Sequence, residues 1–546
     1  QQQQLTMVLW GGLRPILYHA VVDAVSLSCF AWVCLTEPSV QSWTIFGAAA
    51  GVALAASGNL TNRWTVIFFL WPLLVLQTLR LFLRKRNFRY KTWIFRSLNV
   101  LSFLLVIMSS IVSVLFPAVE LGDFHSFGNF NVGVVDVYLP INLNFRSSIP
   151  GTEHVTPTEQ DHATVRILYP THDEPISIPY LRPHTSKEYC EQNMKHSAPP
   201  PLRPFSWMIH NWRLVHLPGR HHAEPTIATA DGTTEHDGLL PIVFFSHGLG
   251  GSAEMYAYQT HALAKHGYIV IVIDHTDGSA PVVPRKDGTI LLRNDTIIQH
   301  WLDGDKEYYK LQRQTMTDYR AQELLSVVDS VVHLNEENVP ELDEVGLDFR
   351  NTLDTSNIHY MGHSFGGATT IHAAMLSSKP PRSVVTHDPA NDWLPESSRL
   401  ALFDIERLQE SSSNHSYWTR NTLGSQEVEK YEENEDNNDE TNNMDRPRSL
   451  HDITEILTLF SDEWYERKWS GSDVLKDMYD RDVFGPASGK SIFKVIDDAH
   501  HSEFSDASQL TPLWIARAVG LTGPRNPIDT AKEIHLETLK FLKSVQ

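Results

Sequence analysis

The first 117 residues contain several long runs of apolar positions separated by short polar connections. Residues 17–35, 66–83 and 98–116 are each long enough to cross a bilayer as a helix, and residues 43–57 form a shorter run rich in Ala and Gly. These runs show little helical periodicity, which favours membrane helices over helices buried in a water-exposed domain. We therefore predict that residues 1–117 form a transmembrane helical region with three to four spans.

The basic residues of this region are concentrated in one connection. Seven Lys and Arg side chains lie between positions 80 and 96, whereas the other connections have almost none. The positive-inside rule places that connection in the cytosol. The span at 98–116 then delivers the rest of the chain to the other side. We expect an integral membrane protein whose residues after Pro117 lie on the lumenal or extracellular side.

From residue 118 onward, short apolar strands alternate with helical patterns. Strands are expected at residues 128–139, 164–169, 240–246, 268–274, 383–387, 454–460 and 491–496. Helical periodicity is present at residues 256–266, 312–335 and 530–543. Strands that alternate with helices indicate a parallel sheet covered on both faces. We predict that residues 118–546 form one α/β domain.

Two stretches depart from this alternation. Residues 170–234 are rich in Pro and His and carry few regular signals. Residues 409–448 are crowded with Glu, Asp, Asn and Ser. The second composition cannot bury enough apolar surface to fold by itself, so we predict a disordered acidic insertion there.

Composition excludes some classes of function. The formal net charge is −20 and the pI is about 5.7, so nucleic acid is not an expected partner. The chain has three cysteines, Cys29, Cys34 and Cys190, and two of them lie in the apolar N-terminal region. This cysteine pattern offers no zinc site.

The clearest chemical motif is a strand, a tight turn and a small-residue helix at residues 357–370. The turn holds Gly362, Ser364 and Gly366 at alternate positions, which is the pattern of a nucleophile elbow. A serine exposed between a strand end and a helix start has a strained backbone, and side chains two residues away would collide with neighbouring elements. Ser364 is therefore the predicted catalytic nucleophile.

A serine nucleophile needs a base and an acid that orients the base. In α/β-hydrolases these follow the serine in the order acid, then histidine, each after a strand. Asp388 directly follows the strand at 383–387, and Asp392 is the alternative; we favour Asp388 because it lies at the strand end. The last strand is followed by His500 and His501, and position alone does not choose between them.

An oxyanion hole needs two backbone N–H donors. One is expected from Phe365, the residue after the nucleophile. The other is expected from the glycine-rich loop at residues 247–251, which follows a predicted strand, and we assign it to Leu249.

Several separate stretches together resemble one known family. They are the strand at 164–170, the loop at 244–250, the segment at 274–280, the elbow at 362–369, and the stretches at 460–464 and 501–506. In order and in residues they resemble the platelet-activating factor acetylhydrolases of the plasma and intracellular type II kind, which have the α/β-hydrolase fold. In that family the catalytic histidine lies three residues before a Phe, and this register selects His501 rather than His500.

The resemblance implies a calcium-independent serine esterase that needs no metal or organic cofactor. Its expected substrate is a glycerophospholipid whose sn-2 acyl group is short or oxidatively truncated. The membrane region would then hold the site near a lipid surface. Two alternatives remain open: a general carboxylesterase or thioesterase acting on soluble esters, and a membrane scaffold that keeps a hydrolase-like domain for binding. The sequence does not indicate an oligomeric state.

Overall fold

A computed structural model describes residues 121–146, 156–197, 212–226, 239–294, 303–403, 449–482 and 489–546, apart from a few single positions inside these ranges, together with isolated positions elsewhere. The predicted transmembrane region and the predicted acidic insertion lie outside the described residues, except for the helical positions Ser97, Val100 and Leu104. No helix within the described ranges combines the length and the apolar character needed to cross a bilayer.

The chain divides into two compact units. One comprises residues 1–120, 210–215 and 510–512, and it is described only at isolated positions and at its two short C-terminal pieces. The other comprises residues 121–209, 216–509 and 513–546. All the strands described here belong to the second unit, as do the residues predicted to carry the chemistry.

The second unit is built on a ten-stranded sheet with a separate two-stranded ribbon. The sheet order is β12-β11-β10-β9-β5-β6-β2-β1-β4-β3, and the ribbon pairs β7 with β8. The strands are β1 (Asn131–Asn144), β2 (Glu159–Thr171), β3 (Ile176–Pro179), β4 (His216–His221), β5 (Leu240–Ser246), β6 (Ile269–Asp274), β7 (Val282–Pro284), β8 (Ile290–Leu292), β9 (Leu353–His363), β10 (Ser383–His387), β11 (Glu455–Ser461) and β12 (Ile492–Ile496).

Strand direction divides the sheet into two parts. The six strands β6, β5, β9, β10, β11 and β12 run parallel to one another. At the other side β2 runs antiparallel to both β6 and β1, β4 runs parallel to β1, and β3 runs antiparallel to β4. The prediction of a parallel sheet is therefore confirmed for the half that carries the site, and it is wrong for β1 and β2, which pair with each other along nearly their whole length.

Helices connect the strands and cover the sheet. They are α1 (Ser186–Ser197), α2 (Ala257–Lys265), α3 (Lys306–Leu334), α4 (Pro340–Asp343), α5 (Phe365–Leu376), α6 (Glu396–Phe403), α7 (Asp462–Glu466), α8 (Ser472–Asp480), α9 (Ala507–Leu510), α10 (Leu513–Ala518) and α11 (Pro527–Val545). Helices α3 and α5 pack against each other, and so do α2 and α11.

The alternation of side chains along the strands explains the two covered faces. Ile242 and Phe244 of β5 belong to the core that α3 and α5 complete, whereas the intervening Val243 and Phe245 point to the other face and are also fully buried. A strand buried on both faces must be apolar at every position, which is the pattern of a parallel sheet covered by helices. The arrangement is an α/β-hydrolase-like fold, as the sequence predicts.

Residues 170–234 contain more structure than their composition indicates. Three elements fall there: β3, β4 and helix α1. Strand β4 has the sequence His-Leu-Pro-Gly-Arg-His and lies near the sheet edge, where Pro and Gly are tolerated. The sequence signal is weak because these strands are short and only partly buried; β4 is held by pairing with β1, and β3 by pairing with β4.

Candidate active site

Ser364 lies at the junction of β9 and α5 in a strained backbone conformation. Its φ is +57° and its ψ is −117°, a region that L-residues rarely occupy. Two hydrogen bonds hold it there: its N–H donates to the carbonyl of His387 at 2.8 Å, and its carbonyl accepts from the N–H of Ala390 at 2.9 Å. His387 is the last residue of β10 and Ala390 lies in the loop after it, so the segment that carries Asp388 also fixes the backbone of Ser364.

The two glycines of the elbow are required by close backbone contacts. A Cβ atom on Gly362 would lie 2.2 Å from the carbonyl oxygen of Gly366, and one on Gly366 would lie 1.9 Å from that of Ser246. Neither φ lies in the left-handed region, so the requirement is space alone. The predicted collision of side chains with the neighbouring helix and strand is therefore confirmed at both positions.

Asp388 and His501, from two different loops, lie together beside the elbow. The Nδ1 atom of His501 is 3.0 Å from Oδ2 of Asp388, whose side chain is fully buried. Asp388 also accepts hydrogen bonds at 2.6 Å from the N–H and from the hydroxyl of Ser461, the last residue of β11. These bonds fix the carboxylate, so it in turn fixes the imidazole with its Nδ1 atom toward the acid.

The structure separates the alternatives that the sequence left open. Asp392 lies in a short 3-10 helix (Asn391–Trp393) and is exposed, whereas Asp388 is fully buried. The Nδ1 atom of His500 is 3.2 Å from the carbonyl oxygen of Gly520, and its N–H donates to Glu503. Within the described ranges the carboxylate against His501 is therefore Asp388, and His500 faces another loop.

The imidazole of His501 contacts two aromatic rings. It stacks on Trp464 with a centroid distance of 4.2 Å and an interplanar angle of 7°. The ring of His363, the residue before Ser364, has its centroid 4.5 Å from that of His501. The backbone N–H of His501 donates to Glu463, one residue before Trp464. The sequence analysis did not assign a role to Trp464, and no local pattern marks the stacking.

The loop after β5 presents the predicted second oxyanion donor. The N–H of Gly248 donates to the hydroxyl of Tyr256 at 2.8 Å, that of Gly250 to the carbonyl of Ser279, and that of Gly251 to the carbonyl of Gly248. Between them, the N–H of Leu249 has no acceptor in the described part of the chain. Phe365 begins α5, where the first N–H groups of a helix have no partner in the helix itself.

Tyr256 links this loop to the elbow. Its hydroxyl oxygen accepts from Gly248, and its own proton is then available for the Nδ1 atom of His363, 3.0 Å away. Burial lowers the pKa of His363 well below its usual value, and the nearby His501 and His387 lower it further. His363 is therefore a neutral ring between Tyr256 and His501.

A buried polar network supports the same loop from the side of α3. A guanidinium N–H of Arg320 donates to the carbonyl of His247 at 2.6 Å, and its Cζ lies 4.5 Å from the centre of the Phe365 ring. One helical turn further, Glu323 is 2.6 Å from Nδ1 of His275, and burial raises the pKa of Glu323 to about 8. The helical pattern predicts α3. It does not show that polar residues of α3 lie beside residues 247–251, the proposed oxyanion loop.

An aromatic cluster adjoins the other side of Phe365. The Trp393 ring meets the Phe365 ring edge to face at 5.0 Å, and Leu249, Tyr309 and Met316 pack into the same cluster. Leu249, Tyr309 and Trp393 are only partly buried. The side chains of the two proposed oxyanion donors, Leu249 and Phe365, thus form with Trp393 an apolar wall that borders solvent.

This arrangement is suited to acyl transfer. A serine at a strained elbow, an imidazole held by a buried carboxylate and two available N–H groups are the parts that an acyl-transfer reaction requires. The sequence-predicted Ser364, Asp388, His501, Leu249 and Phe365 come from four separate parts of the chain, and all lie at the C-terminal edge of the parallel strands.

Comparison with known proteins agrees with this arrangement. Residues 126–392 match the model of a protein family described as platelet-activating factor acetylhydrolase, isoform II. A platelet-activating factor acetylhydrolase of Canis lupus familiaris is 30% identical over 141 residues, which is 24% of this chain and 31% of that protein. The enzyme of the same name from Gallus gallus is 31% identical over 147 residues, 24% of this chain and 35% of that protein.

The alignments thus span about a third of the length of these relatives. They support the family resemblance of the catalytic part and a serine ester hydrolase. Among solved structures, a ferulic acid esterase from Streptomyces cinnamoneus aligns over 76% of this chain and 90% of its own, with 17% identity and a TM-score of 0.43.

Proposed function

We propose that this protein is a membrane-anchored, calcium-independent serine esterase that hydrolyses the sn-2 ester of glycerophospholipids whose acyl group is short or oxidised. One observation carries the proposal: Nδ1 of His501 lies 3.0 Å from the buried Asp388, on the loop that also fixes the backbone of Ser364. We assign Ser364 as nucleophile, His501 as general base and Asp388 as the acid that orients the base.

The first half of the reaction forms an acyl-enzyme. The hydroxyl oxygen of Ser364 attacks the ester carbonyl carbon while His501 accepts its proton. Asp388 stabilises the resulting imidazolium through the bond to Nδ1. The negative charge on the former carbonyl oxygen is held by the N–H groups of Leu249 and Phe365. The intermediate then collapses, and His501 protonates the lyso-lipid oxygen as it leaves.

The second half restores the enzyme. Water attacks the acyl-serine, His501 removes the water proton, and the same two N–H groups stabilise the second tetrahedral intermediate. Its collapse releases the carboxylic acid and returns the proton to Ser364. The groups needed for both halves are side chains and backbone N–H groups of this chain.

The substrate class rests on similarity and on the surroundings of the site. The family match covers the strand, oxyanion loop, elbow and acid, and two aligned relatives carry the name platelet-activating factor acetylhydrolase. The apolar wall of Leu249, Phe365 and Trp393 beside the nucleophile suits the hydrocarbon part of a lipid. Phospholipid in a bilayer is therefore the proposed partner of this site.

Membrane attachment is assigned to residues 1–117 from their apolar runs. The basic connection between residues 80 and 96 supports a lumenal or extracellular position for the catalytic domain. Attachment would concentrate the enzyme where its substrate is. Removal of residues 1–117 should lower the rate on lipid in vesicles more than the rate on monomeric short-chain lipid; equal rates on vesicles before and after removal would argue against this role.

The proposal is tested with detergent-solubilised protein in the presence of a calcium chelator. Two phospholipids with the same head group are compared, one with an sn-2 acetyl group and one with a long sn-2 chain, and Ser364→Ala serves as the control. We expect the acetyl lipid to be preferred and its turnover to be lost in Ser364→Ala. Equal cleavage of both lipids would indicate a broader esterase, and turnover that survives in Ser364→Ala would refute the assigned nucleophile.

A further inference from the structure

Arg313 of α3 has its guanidinium group among aromatic rings next to the proposed oxyanion hole. Its Cζ lies 4.8 Å from the ring centre of Tyr309, 5.1 Å from that of Trp393 and 5.9 Å from that of Phe365. The residue is only 1% exposed. The faces of aromatic rings attract a cation, which explains in part how the charge is accommodated.

The guanidinium lacks a carboxylate partner among the described residues. Within the described ranges, Nη1 of Arg313 donates one weak hydrogen bond to the sulfur of Met316 at 3.6 Å, and the buried Nε has no acceptor. Five N–H donors in a planar fork are therefore almost unused.

Other buried arginines of the same domain are paired. Arg166 lies 2.9 Å from Asp136, Arg182 lies 2.6 Å from Asp274, and Arg320 lies 3.7 Å from Asp277. Burying a charge is costly unless it is paired and hydrogen bonded, and these three arginines follow that rule. Arg313 departs from it at a position that borders the active site.

The position of Arg313 indicates where its partner comes from. Phe365, the residue after the proposed nucleophile, lies in the same cluster, and Leu249, the other proposed oxyanion donor, packs there as well. The partly buried Leu249, Tyr309 and Trp393 place the cluster at the solvent border. A group that enters from this border would meet Arg313 beside Phe365, the residue that follows Ser364.

We propose that Arg313 is an anion subsite for the substrate and pairs with an anionic oxygen group of the molecule whose ester Ser364 attacks. The proposal rests on the proposed function and specifies which substrates the site prefers. A planar guanidinium fits phosphate and carboxylate oxygens through paired hydrogen bonds. Two groups of a truncated phospholipid offer that chemistry: the phosphodiester, and a carboxylate at the oxidised end of the sn-2 chain.

Two matched pairs of esters separate these sources, with full-length protein in detergent. The carboxylate pair is mono-p-nitrophenyl glutarate against p-nitrophenyl pentanoate. The phosphate pair is 1-alkyl-2-acetylglycerophosphocholine against 1-alkyl-2-acetylglycerol. For each pair the measured quantity is the ratio of kcat/KM for the anionic ester to kcat/KM for the neutral ester. The variants are Arg313→Gln, Arg313→Lys and the control Arg350→Gln, which removes an exposed arginine paired with Asp348.

We expect Arg313→Gln to lower the ratio in one pair by about 10- to 100-fold, the loss expected for a hydrogen bond to a charged group. The affected pair identifies the phosphate or the carboxylate as the source. Arg313→Lys keeps the positive charge but lacks the planar set of guanidinium donors, so the ratio should fall less than in Arg313→Gln. Arg350→Gln should leave both ratios at the wild-type value. Equal losses for anionic and neutral esters, or no loss in either ratio, would overturn the proposal.

A second measurement does not depend on a folded variant or on phospholipid turnover. Glutarate and glycerophosphocholine are tested as competitive inhibitors of p-nitrophenyl pentanoate hydrolysis by the wild-type protein. Competitive inhibition by one of them supports the subsite, and inhibition by neither contradicts it. Absence of Ser364-dependent phospholipid turnover would refute the proposed function alone, since the glutarate pair still tests Arg313 and the inhibition still tests for an anion subsite.

Discussion

The hydroxyl of Tyr256 lies 3.0 Å from Nδ1 of His363, the residue immediately before the proposed nucleophile. The same oxygen accepts the N–H of Gly248, one residue before the proposed oxyanion donor Leu249. His363 in turn packs against the ring of His501. One phenol therefore connects the backbone of the proposed oxyanion loop with the elbow and, through the His363 ring, with the proposed general base.

Tyr256→Phe should lower kcat by about 10- to 100-fold with a smaller change in KM. The variant keeps the ring and leaves the N–H of Gly248 without its buried acceptor, a loss of about 1–3 kcal/mol. Steady-state kinetics on a p-nitrophenyl ester would measure it. Tyr268→Phe is the matched control. Tyr268 lies just before β6, at the end of the strand away from the site, and its hydroxyl accepts a hydrogen bond from Gln546. Equal effects of the two variants would contradict a positioning role.

Asp388→Asn should lower kcat by about four orders of magnitude, because an amide no longer holds the imidazole in the required tautomer. Asp392→Asn, four residues away, should retain kcat within about twofold, since Asp392 lies outside the contact with His501. Single-turnover acylation by a fluorophosphonate probe gives an independent measure of nucleophile activation. The reverse order of the two variants would identify Asp392 as the acid.

Gly366→Ala should prevent the elbow from forming. The new Cβ would lie 1.9 Å from the carbonyl oxygen of Ser246, and backbone atoms there have little room to move. We expect soluble yield and the unfolding transition to be lost together. Gly346→Ala is the control, because no atom lies within 4 Å of its Cβ and the cost is limited to the positive φ, about 1–2 kcal/mol. Normal folding and activity of Gly366→Ala would show that the elbow is wrongly placed.

Asp506→Asn should reduce the pH dependence of stability between about pH 4 and pH 8. Burial raises the pKa of Asp506 to about 8, whereas an unfolded Asp has a pKa of about 3.9. In that interval the folded protein holds a proton that the unfolded chain has released. The free energy of unfolding therefore falls as pH rises, by up to about 1.4 kcal/mol per pH unit for this group.

Denaturant unfolding at pH 5, 6 and 7, followed by tryptophan fluorescence, measures that slope. The neutral amide of Asp506→Asn can still accept from the N–H of Tyr258, so the native contact is kept while the titration is removed. Asp348→Asn is the control, because hydrogen bonds from Arg350 lower its pKa and it stays ionised above pH 5. An unchanged slope in Asp506→Asn would mean that this carboxyl is ionised in the folded protein.

The local sequence pattern predicts the elbow, the candidate acid and the candidate base in their order along the chain. Strands β5 and β10 have the bounds expected from their apolar residues, because each is buried on both faces and its ends are marked by polar residues. The elbow was recognisable because Gly362 and Gly366 are required by contacts within a few residues or with a neighbouring strand, and these contacts permit no other residue type. Asp388 is identified because it directly follows a strand, whereas position leaves His500 and His501 open and the family register selects His501.

What the sequence determined by itself was thus the α/β class, the elbow and the candidates for acid and base, since each depends on periodicity or on the backbone geometry of a short segment. The tertiary structure decided which candidates meet, because Asp388 and His501 are separated by more than 100 positions and only the parallel order of β10, β11 and β12 brings them together. It also decided the contacts of Tyr256, Trp464 and Arg313. A phenol, an indole or a guanidinium has the same local signature in a core as in a site, and its partners are set by the packing of distant elements.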